Sequence, residues 1–144
     1  MAISSAICSS FKQELLQGKH SLDTSGNGGD TFKLAMFTSS ASLGAATTAY
    51  STSNEISGSG YSAGGATLTN TGVGLTSTTA FTDFSDVSFT SASFTANGCL
   101  IYNTTMAGGS GTTNAVCVIA FGGDKTVSSG TFTIQFPTND SSSA

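Results

Sequence analysis

Residues 98–103 have the sequence Gly-Cys-Leu-Ile-Tyr-Asn, and residues 115–121 have the sequence Ala-Val-Cys-Val-Ile-Ala-Phe. These are the two most continuously apolar runs of the chain, and both are typical of strands buried on both faces. The link between them, residues 104–114, contains Gly-Gly-Ser-Gly at positions 108–111, which suits a long hairpin loop. The two runs therefore predict a hairpin at the centre of a β-sandwich core.

The composition predicts one folded domain with a neutral surface. The chain has 144 residues, a net charge of −4 and only 8% charged residues, while Ser and Thr make up about a third of it. Ten Phe supply the apolar side chains that disordered sequences lack. The four lysines are scattered, so we expect no nucleic-acid or membrane partner. Because few charges oppose self-association, we expect a homo-oligomer or a multicopy component; the alternative is a monomer solubilised by hydroxyl groups alone.

The N-terminal segment predicts one amphipathic helix over residues 5–17. Ser4 or Ser5 can cap its start, and Gly18 can end it. The predicted apolar face comprises Ile7, Phe11, Leu15 and Leu16, and the polar side chains on or beside the other face are Lys12, Gln13, Glu14 and Gln17. Two interpretations stay open: the helix covers an open end of the sandwich, or it is an arm that docks on a neighbouring subunit.

Short strands separated by turn signals predict an antiparallel β-sandwich or jelly-roll. Besides the central runs, the predicted strands are residues 31–38, 66–70, 80–84, 87–90, 93–96 and 131–136. Turns are expected at residues 24–30 and at Gly122–Lys125. The side chains predicted to face the core are Phe32, Leu34, Met36, Phe89 and Phe94. We therefore divide the chain into an N-terminal helix and linker (1–22), a β-sandwich domain (23–137) and a polar C-terminal tail (138–144).

Residues 39–65 form a long segment rich in Ser, Ala, Gly and Thr. Irregular loops of this length are uncommon in compact domains and are usually functional or ordered by a partner. We expect Leu43, Tyr50, Ile56 and Tyr61 to attach the loop to the core, with a short helical turn near residues 41–50.

The three cysteines, Cys8, Cys99 and Cys117, form neither a disulfide framework nor a zinc motif. Cys99 and Cys117 lie within the apolar runs, so we expect small buried side chains there; the alternative is a disulfide between them, which requires their strands to pair in register. The first eight residues have no basic residue before their short apolar part. They predict no secretion signal, and no apolar run is long enough to span a membrane.

No motif predicts catalysis, a metal or a cofactor. Ser62 stands in a Gly-x-Ser-x-Gly pattern, but that nucleophile motif needs a strand-to-helix turn and a downstream histidine, and the one histidine, His20, lies upstream. His20 follows the predicted helix, where the helix dipole favours a partly positive imidazole, which indicates a structural role. Residues 26–30 and 83–86 are the only segments whose composition suits calcium, and turn chemistry is a sufficient explanation for both.

Seven segments carry a resemblance that covers nearly the whole chain. They are AICSSFKQELL (6–16), FKLAMFTSSA (32–41), TAYSTSNE (48–55), SGSGYSAGG (57–65), LIYN (100–103), FGGDKT (121–126) and FTIQFP (132–137). In these segments, and in their order, the chain resembles a family of small virion-associated structural proteins of tailed bacteriophages. Such proteins continue past the Pro137 region with a short apolar segment that this sequence lacks, so the last edge either lacks a strand or receives one from a partner.

The resemblance implies a non-enzymatic virion protein that is assembled in the host cytoplasm and bound to other virion proteins. Our first hypothesis is a capsid decoration or cement protein that bridges capsomers of the major capsid protein. The alternatives are a tail-associated subunit of the tube, adaptor or fibre base, and a host-glycan-binding module that uses its tyrosines. The residues expected to contact partners are Lys12, Gln13 and Gln17 on the helix, and Tyr50, Glu55 and Tyr61 in the 39–65 loop.

Overall fold

In the computed structural model, which describes residues 2–106 and 108–142, antiparallel strands make up most of the regular structure. The elements in chain order are β1 (Ala6–Ile7), α1 (Ser9–Leu16), a 3-10 helix (Ser25–Asn27), β2 (Phe32–Phe37), β3 (Ala66–Thr67), β4 (Asn70–Thr76), β5 (Thr79–Phe84), β6 (Val87–Asn103) and β7 (Asn114–Ile134). One sheet has the order β1-β7-β6-β2-β3, and β4 and β5 form a separate hairpin. The predicted all-β class with one N-terminal helix is confirmed. Among the described residues, no helix is long and apolar enough to cross a membrane.

The predicted central hairpin is confirmed. β6 pairs with β7 from Gly98 opposite Ala120 to Asn103 opposite Asn114, and β2 pairs along the other edge of the same part of β6. Every residue from 98 to 103 is buried. A strand that is hydrogen-bonded on both edges and covered on both faces needs a continuous apolar run, which is what this part of the sequence provides.

β7 bends back on itself, and this bend creates the sandwich-like core. Phe121 and Phe132 are eleven positions apart, so a straight strand would hold them about 36 Å apart. Their ring centroids are instead 6.1 Å apart. The outer part of the β6–β7 ribbon, residues 87–96 and 125–134, therefore folds over the inner part and encloses the predicted core side chains Phe89 and Phe94.

A large bulge in β7 accompanies the bend. The pairing passes from Ala96 opposite Lys125 to Gly98 opposite Ala120, so four residues of β7 face the single residue Asn97. A bulge increases local twist and bends the strand that contains the extra residues.

The predicted turn at Gly122–Lys125 is wrong, because the chain continues through this segment as one strand beside the same neighbour. Gly122 and Gly123 have φ values of +71° and +137°, which other residues adopt with strain. The Asn97 side-chain amide donates to Asp124 Oδ1 at 2.8 Å and ties the bulge to β6. A Gly-Gly-Asp segment is locally compatible with either a turn or a bulge, and long-range pairing decides between them.

Other strand predictions also need correction. Residues 87–90 and 93–96 belong to the single strand β6, which has its own irregularity at Ser91. Of the predicted strand 66–70, only residues 66–67 form β3. The next strand, β4, begins at Asn70 and pairs with β5. β4 was not among the predicted strands. At Gly74 a Cβ would lie 2.5 Å from the Phe81 ring, so the glycine makes room for the aromatic side chain.

The helix is shorter than predicted and buries less of its apolar face. Ala6 and Ile7 pair with β7 as a strand, and the N-cap is Cys8, not Ser4 or Ser5. Gly18 ends the helix as predicted, with φ of +68°. Of the predicted apolar face only Phe11 is buried, whereas Ile7, Leu15 and Leu16 are exposed. The helix packs on β7 of its own chain through one narrow contact.

The three thiols are free. Cys99 lies opposite Ile119 and Cys117 lies opposite Ile101, so the register offsets the two cysteines and no disulfide forms. Cys99 is fully buried as predicted, and Cys117 is half-buried. Burial raises the pKa of all three thiols, that of Cys117 to about 12. In the predicted polar tail, residues 138–142 form neither helix nor strand, and 143–144 lie outside the described residues.

Candidate functional site

The 39–65 loop is ordered by its own chain. Its backbone is tied to the sheet by the Ile56 N–H, which donates to the Met36 carbonyl at 3.0 Å, and by the Tyr50 N–H, which donates to the Thr113 carbonyl at 2.8 Å. All four predicted attachment residues pack on the core, although Ile56 alone is fully buried. The predicted helical turn near 41–50 is wrong: this segment contains only a hydrogen-bonded turn that begins at Gly44.

Glu55 is the centre of a hydrogen-bonded cluster inside this loop. Its Oε2 accepts from the Tyr50 hydroxyl at 2.7 Å, and its Oε1 accepts from the Tyr61 hydroxyl at 2.6 Å and from the Gly64 N–H at 2.7 Å. Bonds to an ionised carboxylate are stronger than those between neutral groups. One side chain therefore holds three points of the loop together, and the structure brings Tyr50, Glu55 and Tyr61 into a single site.

This Glu55 cluster is joined to the main sheet by its aromatic side chains. The Tyr61 hydroxyl accepts from the buried Met36 N–H at 2.9 Å. The Tyr50 ring stacks on the Tyr102 ring with centroids 4.4 Å apart, and the Tyr102 hydroxyl donates to the Gly64 carbonyl at 2.7 Å. The loop therefore contacts both β2 and β6 through hydroxyl groups as well as ring faces.

The loop backbone approaches β2 closely at Gly65. A Cβ there would lie 1.8 Å from the Leu34 carbonyl oxygen, and the φ of Gly65 is +74°. No side chain fits this approach, so a glycine at position 65 is a structural requirement of the cluster.

The cluster keeps its tyrosines protonated. Burial raises the pKa of Tyr61 and Tyr50 well above the usual value of 10, and the hydrogen bonds to Glu55 raise both further. Burial and the nearby Glu55 charge raise the pKa of Tyr102 as well. A tyrosine that loses its proton next to a carboxylate would place two negative charges side by side, so these hydroxyls act as donors that hold the loop.

A second polar cluster surrounds His20. Its Nε2 lies 2.7 Å from Glu14 Oε2, and its Nδ1 lies 2.9 Å from the Asn103 side-chain nitrogen. Asn103 also donates to Asp30 Oδ2 at 2.6 Å and accepts from the Thr105 N–H, which fixes its amide orientation. We infer that Asn103 donates to Nδ1 and that the Nε2–H donates to Glu14.

The His20 cluster joins distant parts of the chain. Glu14 Oε1 also accepts from the Asn114 side chain at 2.8 Å, so the helix, the segment after it and the β6–β7 hairpin meet here. Both nitrogens of His20 face groups of this cluster. Ser62, the serine of the Gly-x-Ser-x-Gly pattern, lies exposed in the 39–65 loop. Sequence reasoning found His20 but missed Glu14, Asp30 and Asn103 as its partners.

The other predicted contact residues lie on a separate surface. Lys12, Gln13 and Gln17 are exposed on and just after α1, away from the hydrogen bonds of the Glu55 cluster. Within residues 2–106 and 108–142, no three His, Cys, Asp or Glu side chains are grouped so that they could hold a metal ion. The two predicted contact surfaces are thus an ordered, tyrosine-rich loop and an exposed helix.

Comparison with known proteins gives no relative for this arrangement. No protein-family model matches the chain, and neither a curated protein nor a solved structure does so. The resemblance to phage virion proteins therefore stays a prediction, and function must be argued from the surfaces of this structure.

Replacing Tyr61 with Phe should destabilise the protein more than replacing Tyr50 with Phe. The Tyr61 hydroxyl serves both Glu55 and the buried Met36 N–H, so its loss should lower the free energy of unfolding by about 2 kcal/mol. The Tyr50 hydroxyl donates to Glu55 and lies beside the Gly64 N–H at a half-exposed position, and its loss should cost about 1 kcal/mol or less. Urea unfolding monitored by circular dichroism measures both, and equal effects would contradict the proposed role of Tyr61.

Alkaline titration should show that the tyrosines ionise only on unfolding. Because their folded-state pKa values are raised, the stability they contribute is complete below pH 10 and is lost as pH rises above that value. Tyrosinate absorbance should therefore stay low past pH 10 and rise together with the loss of circular dichroism, whereas urea-unfolded protein should titrate near 10. Reversible ionisation near pH 10 in folded protein would show that the hydroxyls are not held.

Proposed function

We propose that this chain is a structural protein of a virus particle, and that it decorates the capsid of a tailed bacteriophage by bridging neighbouring capsomers. The seven-segment resemblance supports the particle type. The structural observation that carries the proposal is a long unpaired edge of β7 with few charged residues. Such an edge suits contacts with other proteins better than it suits catalysis.

This edge extends over most of β7. β1 pairs with one edge of β7 only at Cys117 and Val118, and in the described parts of the chain β6, on the other edge, is the only strand that pairs with β7 beyond them towards Ile134. Asp124 and Lys125 are the only charged residues of β7. Soluble proteins usually protect such edges with charges, so an edge this neutral is typical of one that meets another surface.

Hydroxyl groups cover the outer part of the β6–β7 ribbon. Ser88 and Thr133 contact each other through their hydroxyls at 2.8 Å, and Thr95 and Thr126 do so at 2.7 Å. These groups can donate to and accept from any neighbouring protein surface. Individually the contacts are weak, but a symmetric shell repeats each of them many times and so produces strong overall attachment.

The charges of the chain are partly used inside the fold. The Glu55 carboxylate accepts hydrogen bonds from two tyrosines, and the Glu14 and Asp30 carboxylates are hydrogen-bonded within the His20 cluster. Attachment should therefore depend on buried area and backbone hydrogen bonds more than on ion pairs. In this proposal the Glu55 cluster keeps the 39–65 loop in a fixed shape for docking.

Particles that lack the protein should lose resistance to heat and osmotic shock, and adding the purified protein should restore it. Attachment should persist in 1 M NaCl, because ion pairs are screened beyond about 3 Å at that ionic strength. Genome release monitored by a DNA-binding dye measures the resistance, with particles that carry the Tyr61→Phe variant as a matched comparison.

Two outcomes would contradict the capsid assignment. One is equal heat and osmotic resistance with and without the protein. The other is a copy number of roughly six or twelve per particle by mass spectrometry, as expected for a tail ring, instead of the order of hundreds expected on a shell.

A further inference from the structure

The chain contains the dipeptide Asn-Gly twice, at Asn27–Gly28 and at Asn97–Gly98. In such a pair the backbone nitrogen of the glycine can attack the side-chain carbonyl carbon of the asparagine, because the glycine has no side chain to obstruct the approach. A new C–N bond closes a five-membered succinimide ring, and the side-chain nitrogen leaves as ammonia with the proton that the glycine N–H loses. Water then opens the ring and yields aspartate or isoaspartate, whose main chain is longer by one carbon.

This reaction needs only water, but it also needs freedom of movement around the two residues. The asparagine side chain must turn back over the following peptide, and the glycine nitrogen must give up its proton to solvent. A firm hydrogen bond from that N–H and a fixed backbone oppose both steps, because the bond and the packing must be broken first. Two identical dipeptides in one chain therefore react at different rates when the fold holds them differently.

Asn27 and Gly28 are loosely held. Both are exposed, at the end of the 3-10 helix Ser25–Asn27. The Gly28 N–H donates to the Ser25 carbonyl at 3.4 Å, which is longer than the usual range of about 2.7–3.2 Å. Within the part of the chain that the structure describes, the Asn27 side-chain amide has no hydrogen-bond partner. Both the attacking nitrogen and the carbonyl that it attacks can therefore move towards each other.

Asn97 and Gly98 are firmly held. Gly98 is buried and lies opposite Phe37 of β2 and Ala120 of β7, so its backbone is paired on both edges. The Asn97 side-chain amide donates to Asp124 Oδ1 at 2.8 Å. Turning the Asn97 side chain over the next peptide would break this bond and disturb the pairing of β6 with its neighbours.

We propose that Asn27 is a site of spontaneous deamidation in the folded protein, and that the fold protects Asn97 from the same reaction. The product carries one additional negative charge on an exposed turn. This inference goes beyond the proposed function. It is tested with purified protein alone, so its failure and that of the particle proposal are distinguishable.

The isoaspartate product also alters a turn that supports the His20 cluster. The turn is closed on both sides of position 27: the Gly29 N–H donates to the Thr24 carbonyl at 3.0 Å, and the Asp30 N–H donates to the Ser21 carbonyl at 2.9 Å. Asp30 extends from this turn into the cluster. An extra main-chain carbon must be accommodated between these bonds, so the isoaspartate form is less stable than a form with aspartate at position 27.

Peptide mass spectrometry of the purified full chain, incubated in mildly alkaline buffer, tests the site. Trypsin cleaves after Lys19 and Lys33 and releases residues 20–33, in which Asn27 is the only asparagine; fragment spectra locate any change at Asn97. Position 27 should convert at least roughly tenfold faster than position 97. Equal rates, faster conversion at Asn97 or an unchanged position 27 would overturn the proposal.

Urea-unfolded protein is the matched control, because it keeps both dipeptides and removes the structural difference between them. Under these conditions the ratio of the two rates should fall towards one, mainly through faster conversion at Asn97. If the difference between the positions persists in urea, the fold does not protect Asn97 and the proposal is wrong.

Two glycine variants test whether the Gly28 nitrogen is the attacking group. A Cβ at either Gly26 or Gly28 would have no neighbouring atom within 4 Å. Gly28→Ala places a methyl group beside the attacking nitrogen and should slow conversion at least roughly tenfold. Gly26→Ala changes the same 3-10 helix away from that nitrogen and should convert like the unmodified protein. Because φ at position 28 is +81°, circular dichroism must confirm that Gly28→Ala is folded. Equal slowing by both variants would overturn the proposed attack.

Urea unfolding tests the effect on the turn. The isoaspartate form, isolated by chromatography, is compared with the Asn27→Asp variant, which has the same charge on a main chain of normal length. The isoaspartate form should unfold at a lower urea concentration. Equal midpoints would show that the turn accommodates the longer main chain, and would overturn the proposed effect on the His20 cluster.

Discussion

The rest of the structure depends on the continuous antiparallel pairing of β6 with β7. Because the two strands stay paired through the bulge at Asn97, the bend moves both of them and places one part of the ribbon over the other. β2 pairs with β6, β1 pairs with β7, and the 39–65 loop is bonded to β2 and β6; β3 pairs with β2, and β4 and β5 form a separate hairpin. The enclosed core around Phe89 and Phe94 follows from that fold-back.

The sequence predicted the parts of this arrangement that have a local signal. Unbroken apolar character identified the centre of β6 and β7, and alternation identified β2. The bulge was not predicted, because Gly122 and Gly123 give the same local signal whether the chain turns or stays paired. Of the predicted apolar face of the helix, Phe11 is buried whereas Leu15 and Leu16 are exposed, so packing within one chain covers only part of that face.

Local sequence patterns also did not predict the hydrogen bonds within the two polar clusters. Tyr50, Glu55 and Tyr61 are close in sequence and were expected together in one loop, but as partner contacts; in the structure their polar atoms bind one another. The His20 cluster joins residues up to 100 positions apart, and no spacing rule could group them before the hairpin was placed. In both cases hydrogen bonds fix segments that a low-charge, loop-rich sequence would otherwise leave weakly held.

The claim that β7 folds back at its bulge can be tested directly by solution NMR. In protein with selectively labelled Phe, the account predicts nuclear Overhauser contacts between the rings of Phe121 and Phe132, together with backbone contacts that show β6 paired with β7 on both sides of Asn97. A spectrum with the strand pairing intact but no contact between these two rings would mean that the ribbon is straight, and would contradict the account.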